Sequence, residues 1–139
     1  QAGTLSGNPL ATAAGLAVLE RLDAAAYEQL RGTAGSLAEG LRTVFAETGV
    51  AAIVPQVGPL VGLFFGDAEV VGGERPVDFA TAGASVALGR YPAFFHGMLD
   101  RGIALAPGPW EVWFPSLAHT DDDVRVTLEV AHEVAATLS

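Results

Sequence analysis

The sequence predicts an α+β domain, in which helices and short antiparallel strands occupy separate stretches of the chain. Three long stretches repeat apolar residues every three or four positions, the period of a helix that buries one face. Residues 51–65 contain two short runs of β-branched and aromatic residues separated by a Gly-Pro pair, as in a hairpin. Strands and helices do not alternate regularly, so the pattern disfavours a parallel sheet built from βαβ units.

The first helix is expected to begin at Pro9, a residue favoured in a first turn, with Ser6 or Asn8 as its N-cap. From Pro9 to Leu19 the only polar side chain is that of Thr12. A helix that is apolar on every side is normally buried on every side. We therefore expect this helix to pack against protein outside the 139 residues of the chain.

A second helix is expected over residues 24–48. Its Glu and Arg residues fall on other faces than its apolar residues, and Gly49 is typical of a helix C-cap. The apolar stripe of this helix comprises Leu30, Ala34, Leu37, Leu41, Val44 and Phe45.

Two strands are expected next, at residues 51–57 and 60–65. The Gly58-Pro59 pair between them suits the turn of an antiparallel hairpin. The second run, LVGLFF, is rich in β-forming residues and suits a strand with little solvent exposure. Residues 66–76 are acidic, contain Gly and lack a period, so we expect a surface loop there.

Further helices are expected at residues 77–88, 91–101 and from Thr120 onward, with short strands at 103–106 and 111–117 around a rigid turn at 107–109. Thr120 is expected to cap the final helix, because three acidic residues follow it and complement the helix dipole. The helix ending before Gly102 is predicted to bury Phe94, Phe95, Met98 and Leu99. The final helix is predicted to bury Val124, Leu128, Ala131, Ala135 and Leu138.

The composition fits one domain and disfavours several classes of function. Half of the residues are apolar, which is ample for a core, whereas only 17% are charged, so other protein is expected to cover part of the surface. A net charge of −9 with seven scattered Arg disfavours nucleic-acid binding. The absence of Cys excludes thiol nucleophiles and thiolate metal sites, and it is compatible with a cytosolic protein. No apolar run reaches about 18 residues, so no membrane-spanning helix is predicted.

The turn at residues 3–9, GTLSGNP, is the most informative candidate site. Backbone N–H groups and the Thr4 hydroxyl would gather where a helix dipole begins, an arrangement that suits an anion. From spacing alone a simpler alternative is favoured, in which Gly and Ser serve only as turn and cap of the helix.

Two later segments also carry candidate residues. Residues 94–103, FFHGMLDRGI, are best explained as a packed amphipathic helix in which His96 is structural. In residues 107–119, PGPWEVWFPSLAH, Glu111 is either a carboxylate facing a binding pocket or a rim residue in a local ion pair. His119 and the acids at 121–123 suggest helix capping rather than a metal cluster, so no metal site is expected.

These three segments, in this order, resemble the glutamate-1-semialdehyde 2,1-aminomutases, a family of class III pyridoxal-phosphate aminotransferases. The family patterns are GTLSGNP, F-F-H-x-M-L before Leu-Ala-Pro, and A-P-S-x-(F/Y)-E-x-x-F-x-S-x-A-H, and together they cover nearly the whole chain. Gly108 replaces the usual Ser, Pro109 follows it, and Trp110 is larger than Phe or Tyr. These departures leave the substrate preference open.

The resemblance implies roles for individual residues. Thr4, with the backbone of Gly3, would bind the cofactor phosphate of the neighbouring subunit, while Ser6 and Asn8 would build the turn. Glu111 would lie beside the active site and help to recognise the substrate. The implied fold is that of a fold-type-I homodimer. Residues 1–23 would form the phosphate turn and a domain-crossing helix at the edge of a missing large domain, and residues 24–139 would form the small C-terminal domain.

The implied activity is the conversion of glutamate-1-semialdehyde, a small amino-acid substrate, into the tetrapyrrole precursor 5-aminolevulinate by a cytoplasmic pyridoxal-phosphate enzyme. The chain contains no Lys, so it cannot form the Schiff base that holds this cofactor. The lysine is therefore expected upstream, and the isolated segment is expected to be inactive. Two alternatives stay open: a class III transaminase with another amino donor, and a non-catalytic interaction domain derived from the same fold.

Overall fold

A computed structural model describes residues 3–138, so residues 1, 2 and 139, the outer ends of the two predicted domain spans, lie outside the described residues. The described part is an α+β arrangement, as the sequence predicts, and it contains six helices and four two-residue strands. The elements, in chain order, are α1 (Pro9–Leu19), α2 (Ala24–Thr48), β1 (Ala52–Ile53), β2 (Gln56–Val57), β3 (Leu60–Val61), β4 (Phe64–Phe65), α3 (Ala68–Val71), α4 (Phe79–Ala87), α5 (Arg90–Leu99) and α6 (Asp121–Ala135).

The first helix, α1, begins at Pro9 and is capped by Asn8, one of the two predicted caps. The Asn8 side chain accepts hydrogen bonds from the backbone N–H groups of Leu10 and Ala11, at 3.0 and 3.1 Å. None of the residues of α1 is buried, and Leu10 is 80% exposed. This apolar helix therefore presents its whole circumference to its surroundings, which agrees with the expectation that its partner lies outside these residues.

The second helix, α2, has the predicted bounds. The Asp23 carboxylate accepts a hydrogen bond from the Ala26 N–H at 2.8 Å, which caps the N-terminus. Gly49 ends the helix with φ 71°, a left-handed conformation that Gly adopts without steric cost. All six residues of the predicted apolar stripe are buried.

The predicted hairpin over residues 51–65 is confirmed, with an interruption in each arm. β1 pairs with β4 and β2 pairs with β3, both antiparallel. A single register runs through both pairs, with Ala52 opposite Phe65 and Val57 opposite Leu60. The two-residue loop at its tip contains Gly58, which adopts φ 58° as such loops favour.

The interruption lies where Pro55 enters the first arm. Proline has no N–H to donate to a ladder. Its carbonyl still accepts from the Gly62 N–H at 2.9 Å. The neighbouring Val54 carbonyl instead accepts from the Arg42 guanidinium, whose Nε lies 3.0 Å away. The hairpin is thereby fastened to α2 at its middle.

Two expectations between residues 66 and 99 are corrected. The predicted surface loop at 66–76 contains the short helix α3, capped by Asp67, and its Val71 is fully buried. A local cap and one apolar anchor suffice for a single turn, which a search for periodicity over longer windows misses. Leu99 is 45% exposed rather than buried, because the inner face of α5 is formed by Tyr91, Phe94 and Met98.

Neither of the two later predicted strands forms. Residues 103–106 are irregular, and residues 111–117 make only one isolated bridge, between Trp113 and Val61. Prolines at 107, 109 and 115 remove backbone donors from this stretch, which prevents a continuous ladder. α6, in contrast, begins after Thr120 as predicted, and Thr120 and Asp123 form a capping box.

The core lies between α2, α5, α6 and the hairpin. Three aromatic rings from α2, β4 and α5, those of Phe45, Phe65 and Phe94, meet with centroids 5.6 to 5.7 Å apart. α6 closes the core with Ala131, Val134 and Ala135, all buried, while the predicted stripe residues Val124, Leu128 and Leu138 are only partly buried. The strands form two two-stranded sheets, β1–β4 and β2–β3, and the contact between α2 and α6 supplies much of the remaining packing of the domain.

Candidate functional site

The turn before α1 is compact and exposed. The Ser6 N–H donates to the Gly3 carbonyl and the Asn8 N–H to the Leu5 carbonyl, each at 3.0 Å. Gly7 supports the turn with φ 76°. Thr4 lies between these bonds and is exposed, and within residues 3–138 its side chain makes no hydrogen bond. Asn8 builds the turn as expected, and the hydroxyl of Thr4 is accessible to a ligand.

Glu111 lies in a second turn, which links residues 106 and 113. Its Oε2 accepts a hydrogen bond from the Gly108 N–H at 2.7 Å, and its own N–H donates to the Gly108 carbonyl at 3.1 Å. A Cβ at position 108 would lie only 3.1 Å from that Oε2. The Gly that replaces the family's Ser therefore allows the carboxylate to fold closely onto the turn. Glu111 is exposed and makes no ion pair with any described residue.

Trp110, another of the three departures from the pattern that the sequence resembles, forms an aromatic pair with Phe79 at the start of α4. The rings are stacked, with centroids 4.8 Å apart and planes inclined by 6°. Phe79 is 79% exposed and Trp110 49% exposed. Beside Glu111 the chain therefore displays a flat apolar surface next to a carboxylate.

Tyr91 connects the turn of Glu111 to the core. Its hydroxyl donates to the Ala106 carbonyl at 2.6 Å and accepts from Trp113 Nε1 at 3.3 Å. Burial raises the pKa of the Tyr91 phenol above 10.0, the hydrogen bond from Trp113 opposes that rise, and the negative charge of Glu111 adds to it. The phenol is therefore protonated near neutral pH and able to donate to Ala106.

The histidines and acids near α6 fulfil structural roles. His119 Nδ1 lies 3.0 Å from the Ser116 N–H and 2.9 Å from the Ser116 hydroxyl. Hydrogen bonds from the Thr120 backbone and side chain lower the pKa of the Asp123 carboxyl, as its capping role requires. Among residues 3–138 no group of three His, Asp or Glu side chains has the arrangement of a metal site.

No hydrogen bond in the described part joins Thr4 to Glu111. Thr4 lies in the turn before α1, a helix with no buried residue, whereas Glu111 lies in the turn after α5. Sequence reasoning missed the Tyr91–Trp113 pair and the Phe79–Trp110 stack. Both join residues far apart in the chain, and no local spacing signals such contacts.

The residues present fit only one end of pyridoxal phosphate. An exposed Thr hydroxyl in a glycine-containing turn before a helix N-terminus suits a phosphate. The chain offers no lysine amine for the aldehyde end. A cofactor contacted by this segment must therefore be anchored covalently by other residues.

Curated sequence relatives align with nearly the whole length of the chain. Glutamate-1-semialdehyde 2,1-aminomutase of Desulfitobacterium hafniense (strain DSM 10664 / DCB-2) is 47% identical over 99% of the chain. The enzymes of the same name from Anaeromyxobacter dehalogenans (strain 2CP-1 / ATCC BAA-258) and Desulfosudis oleivorans are 45% and 46% identical over 94% and 99%. The chain spans only 29–31% of the length of these relatives. No protein-family model matches it.

Solved structures share the fold. A structure described as a transaminase with PLP bound superposes with a TM-score of 0.75 at 18% identity, over 99% of this chain and 29% of its own. A glutamate-1-semialdehyde aminomutase from Pseudomonas aeruginosa PAO1 gives a TM-score of 0.65 at 19% identity, over 85% of this chain and 24% of its own. At these identities the likeness shows the fold alone, and it confirms the predicted small α+β fold.

Proposed function

We infer that this chain belongs to the glutamate-1-semialdehyde 2,1-aminomutase family over nearly all of its length, and that it is the C-terminal part of an enzyme that isomerises glutamate-1-semialdehyde to 5-aminolevulinate. One observation carries the inference: identity of 45–47% to curated aminomutases along 94–99% of the chain. Such an enzyme would serve tetrapyrrole synthesis in the cytoplasm. A segment about 31% as long as its relatives requires the remaining two-thirds for catalysis.

Thr4 and Gly3 are proposed to hold the phosphate of pyridoxal phosphate in a neighbouring subunit of a homodimer. When bound, that cofactor supplies an electron sink for transfer of the amino group. The contribution of this segment is charge-assisted hydrogen bonding from the Thr4 hydroxyl and the turn to the phosphate. The exposure of Thr4 and the absence of a hydrogen bond to its side chain within the described residues support this role.

Glu111 is proposed to recognise the substrate. A carboxylate fixed on a turn favours the ammonium group of an amino-acid substrate, because opposite charges attract. Its hydrogen bond to the Gly108 N–H holds the carboxylate in one orientation. The carboxylate keeps a free oxygen for the substrate, since Oε2 takes the bond to Gly108.

A different amino donor is the second candidate, and the stacked Trp110 and Phe79 favour it. Trp110 is larger than the Phe or Tyr of the family pattern, and the exposed aromatic surface that it forms with Phe79 beside Glu111 suits a substrate with an apolar group. The two candidates are separated by assaying the full-length protein with glutamate-1-semialdehyde as the only substrate. An aminomutase turns over repeatedly, whereas a transaminase stops until a second amino donor or acceptor is added. No turnover with any amine would favour a non-catalytic interaction domain.

The role of Thr4 is tested by Thr4→Val in the full-length protein, with Thr12→Val as the matched control. Val keeps the shape of Thr and removes its hydroxyl. A hydrogen bond to a charged group contributes about 1.5–3 kcal/mol, so we expect about 10- to 100-fold weaker retention of pyridoxal phosphate on dialysis. Thr12 bonds only to the Asn8 carbonyl, so its variant should retain the cofactor normally. Equal retention by both variants would contradict the role of Thr4.

A further inference from the structure

Both ends of the turn that carries Glu111 are held by one phenol oxygen. The Tyr91 hydroxyl donates to the Ala106 carbonyl, at the start of the turn, over 2.6 Å. The same oxygen accepts from Trp113 Nε1, at the end of the turn, over 3.3 Å. Tyr91 and Trp113 are buried, with 4% and 7% of their surface exposed, so water does not compete readily for either bond.

The end of the turn has a second anchor in the hairpin. Trp113 exchanges two backbone hydrogen bonds with Val61, of 2.9 and 3.2 Å. Val61 is fully buried and belongs to β3. The indole of Trp113 is therefore fixed relative to the sheet, and Tyr91 links it to the first turn of α5.

The interior of the turn leaves Glu111 little freedom. Pro107 and Pro109 each fix one backbone dihedral angle. The Glu111 carboxylate and its N–H both bond to Gly108. Both ends of the turn bond to Tyr91, and Glu111 bonds to Gly108 within it. The backbone that carries the carboxylate is therefore rigid.

We propose that Tyr91 is a positioning residue for Glu111: by tying Ala106 to Trp113, its hydroxyl sets the place of the carboxylate that binds the substrate ammonium group. The inference rests on the proposed function, in which Glu111 contacts the substrate. Catalytic and binding groups displaced by about 1 Å lose much of their effect. Loss of the Tyr91 hydroxyl should therefore weaken substrate binding measurably.

The experiment is a double-mutant cycle in the full-length enzyme, with Tyr91→Phe and Glu111→Gln separately and together. Phe keeps the ring in the core and removes both hydrogen bonds. Tyr27→Phe is the matched control, because Tyr27 is on the surface of α2 and is 41% exposed. Thermal unfolding confirms that each variant folds. Trp113→Phe, which removes only one of the two bonds, keeps the inference testable if Tyr91→Phe does not fold.

We expect Tyr91→Phe to lower kcat/KM by about tenfold, mainly through KM, since a lost hydrogen bond of this kind corresponds to a factor of about 2 to 12. In the Glu111→Gln background the same substitution should change kcat/KM less than twofold, because the effect passes through the carboxylate. Trp113→Phe should act in the same direction with a smaller factor. Tyr27→Phe should change nothing.

Two outcomes would overturn the inference. One is an equal loss from Tyr91→Phe in both backgrounds, which would make Tyr91 merely structural. The other is an unchanged kcat/KM for either Tyr91→Phe or Glu111→Gln alone. If glutamate-1-semialdehyde alone supports no turnover, the proposed function fails instead, and the cycle is measured with the amino donor that the enzyme accepts. Amide hydrogen exchange at residues 107–113, expected to be faster in Tyr91→Phe than in Tyr27→Phe, reports the same support without any substrate.

Discussion

Gly97 lies where α5 packs against α6, and a methyl group there would meet Val134. An ideal Cβ at Gly97 would be 2.6 Å from Val134 Cγ1 and 3.2 Å from Cγ2, closer than packed carbon atoms approach. Val134 is 1% exposed, and a β-branched side chain in a helix has one strongly preferred rotamer. We therefore expect Gly97→Ala to destabilise the packing of α5 on α6.

The magnitude follows from two opposing effects. Replacing Gly by Ala inside a helix stabilises it by about 1 kcal/mol, and overpacking a core costs about 1–3 kcal/mol. Gly97→Ala should thus lower the free energy of opening by up to about 2 kcal/mol. Gly32, inside α2, is the control, because a Cβ there would meet no atom of another described element within 4 Å. Gly32→Ala should be stabilised by the full helix preference of Ala, about 1 kcal/mol, without any cost of overpacking.

The assay is native-state amide hydrogen exchange in the protein that carries this segment, read over α2, α5 and α6. A loss of about 1.4 kcal/mol corresponds to tenfold faster exchange. We expect the amides of α5 and α6 to exchange faster in Gly97→Ala and those of α2 to exchange more slowly in Gly32→Ala. Slower exchange in Gly97→Ala than in the wild type, as expected for Gly32→Ala, would refute the packing argument.

Three further results are expected. Because hydrogen bonds from Thr120 lower the folded-state pKa of Asp123, this carboxylate stabilises α6 above about pH 4 and loses that effect as the pH falls through its lowered pKa, so Asp123→Asn should flatten the acid side of the Tm–pH curve. Replacing Leu10, Leu16 and Leu19 with Gln should raise the solubility of the isolated segment, measured by sedimentation, since all three are exposed. Borohydride treatment of the segment with pyridoxal phosphate should leave no cofactor on any side chain by mass spectrometry, because the chain has no Lys.

The helices that the sequence predicts best are those with caps and long apolar stripes. α2 has the expected bounds because a cap at Asp23, six buried stripe residues and Gly49 all agree. α6 begins as expected because the side chains of Thr120 and Asp123 each accept a hydrogen bond from the other residue's backbone N–H. Such signals lie within a few residues of one another, so a single sequence contains them in full.

The errors fall where distant contacts decide the conformation. Residues 103–106 and 111–117 have strand-like composition. The Ala106 carbonyl, however, accepts a hydrogen bond from the Tyr91 hydroxyl, and only Trp113 pairs with the hairpin. The candidate site shows the same division. The turn around Thr4 forms from local bonds as predicted, whereas the support of Glu111 comes from Tyr91, about 20 residues away in the chain, and no spacing rule predicts such a contact.

The contact between α2 and α6 has a consequence for synthesis on the ribosome. The buried stripe of α2 is made early, but α6, which packs against α2, is completed about 90 residues later. Until α6 has left the ribosomal tunnel, the face of α2 around Gly40, which lies beside Leu128 in the folded domain, has no permanent neighbour. The nascent chain therefore exposes this apolar face of α2 for several seconds at ordinary rates of translation, during which chaperones can bind it.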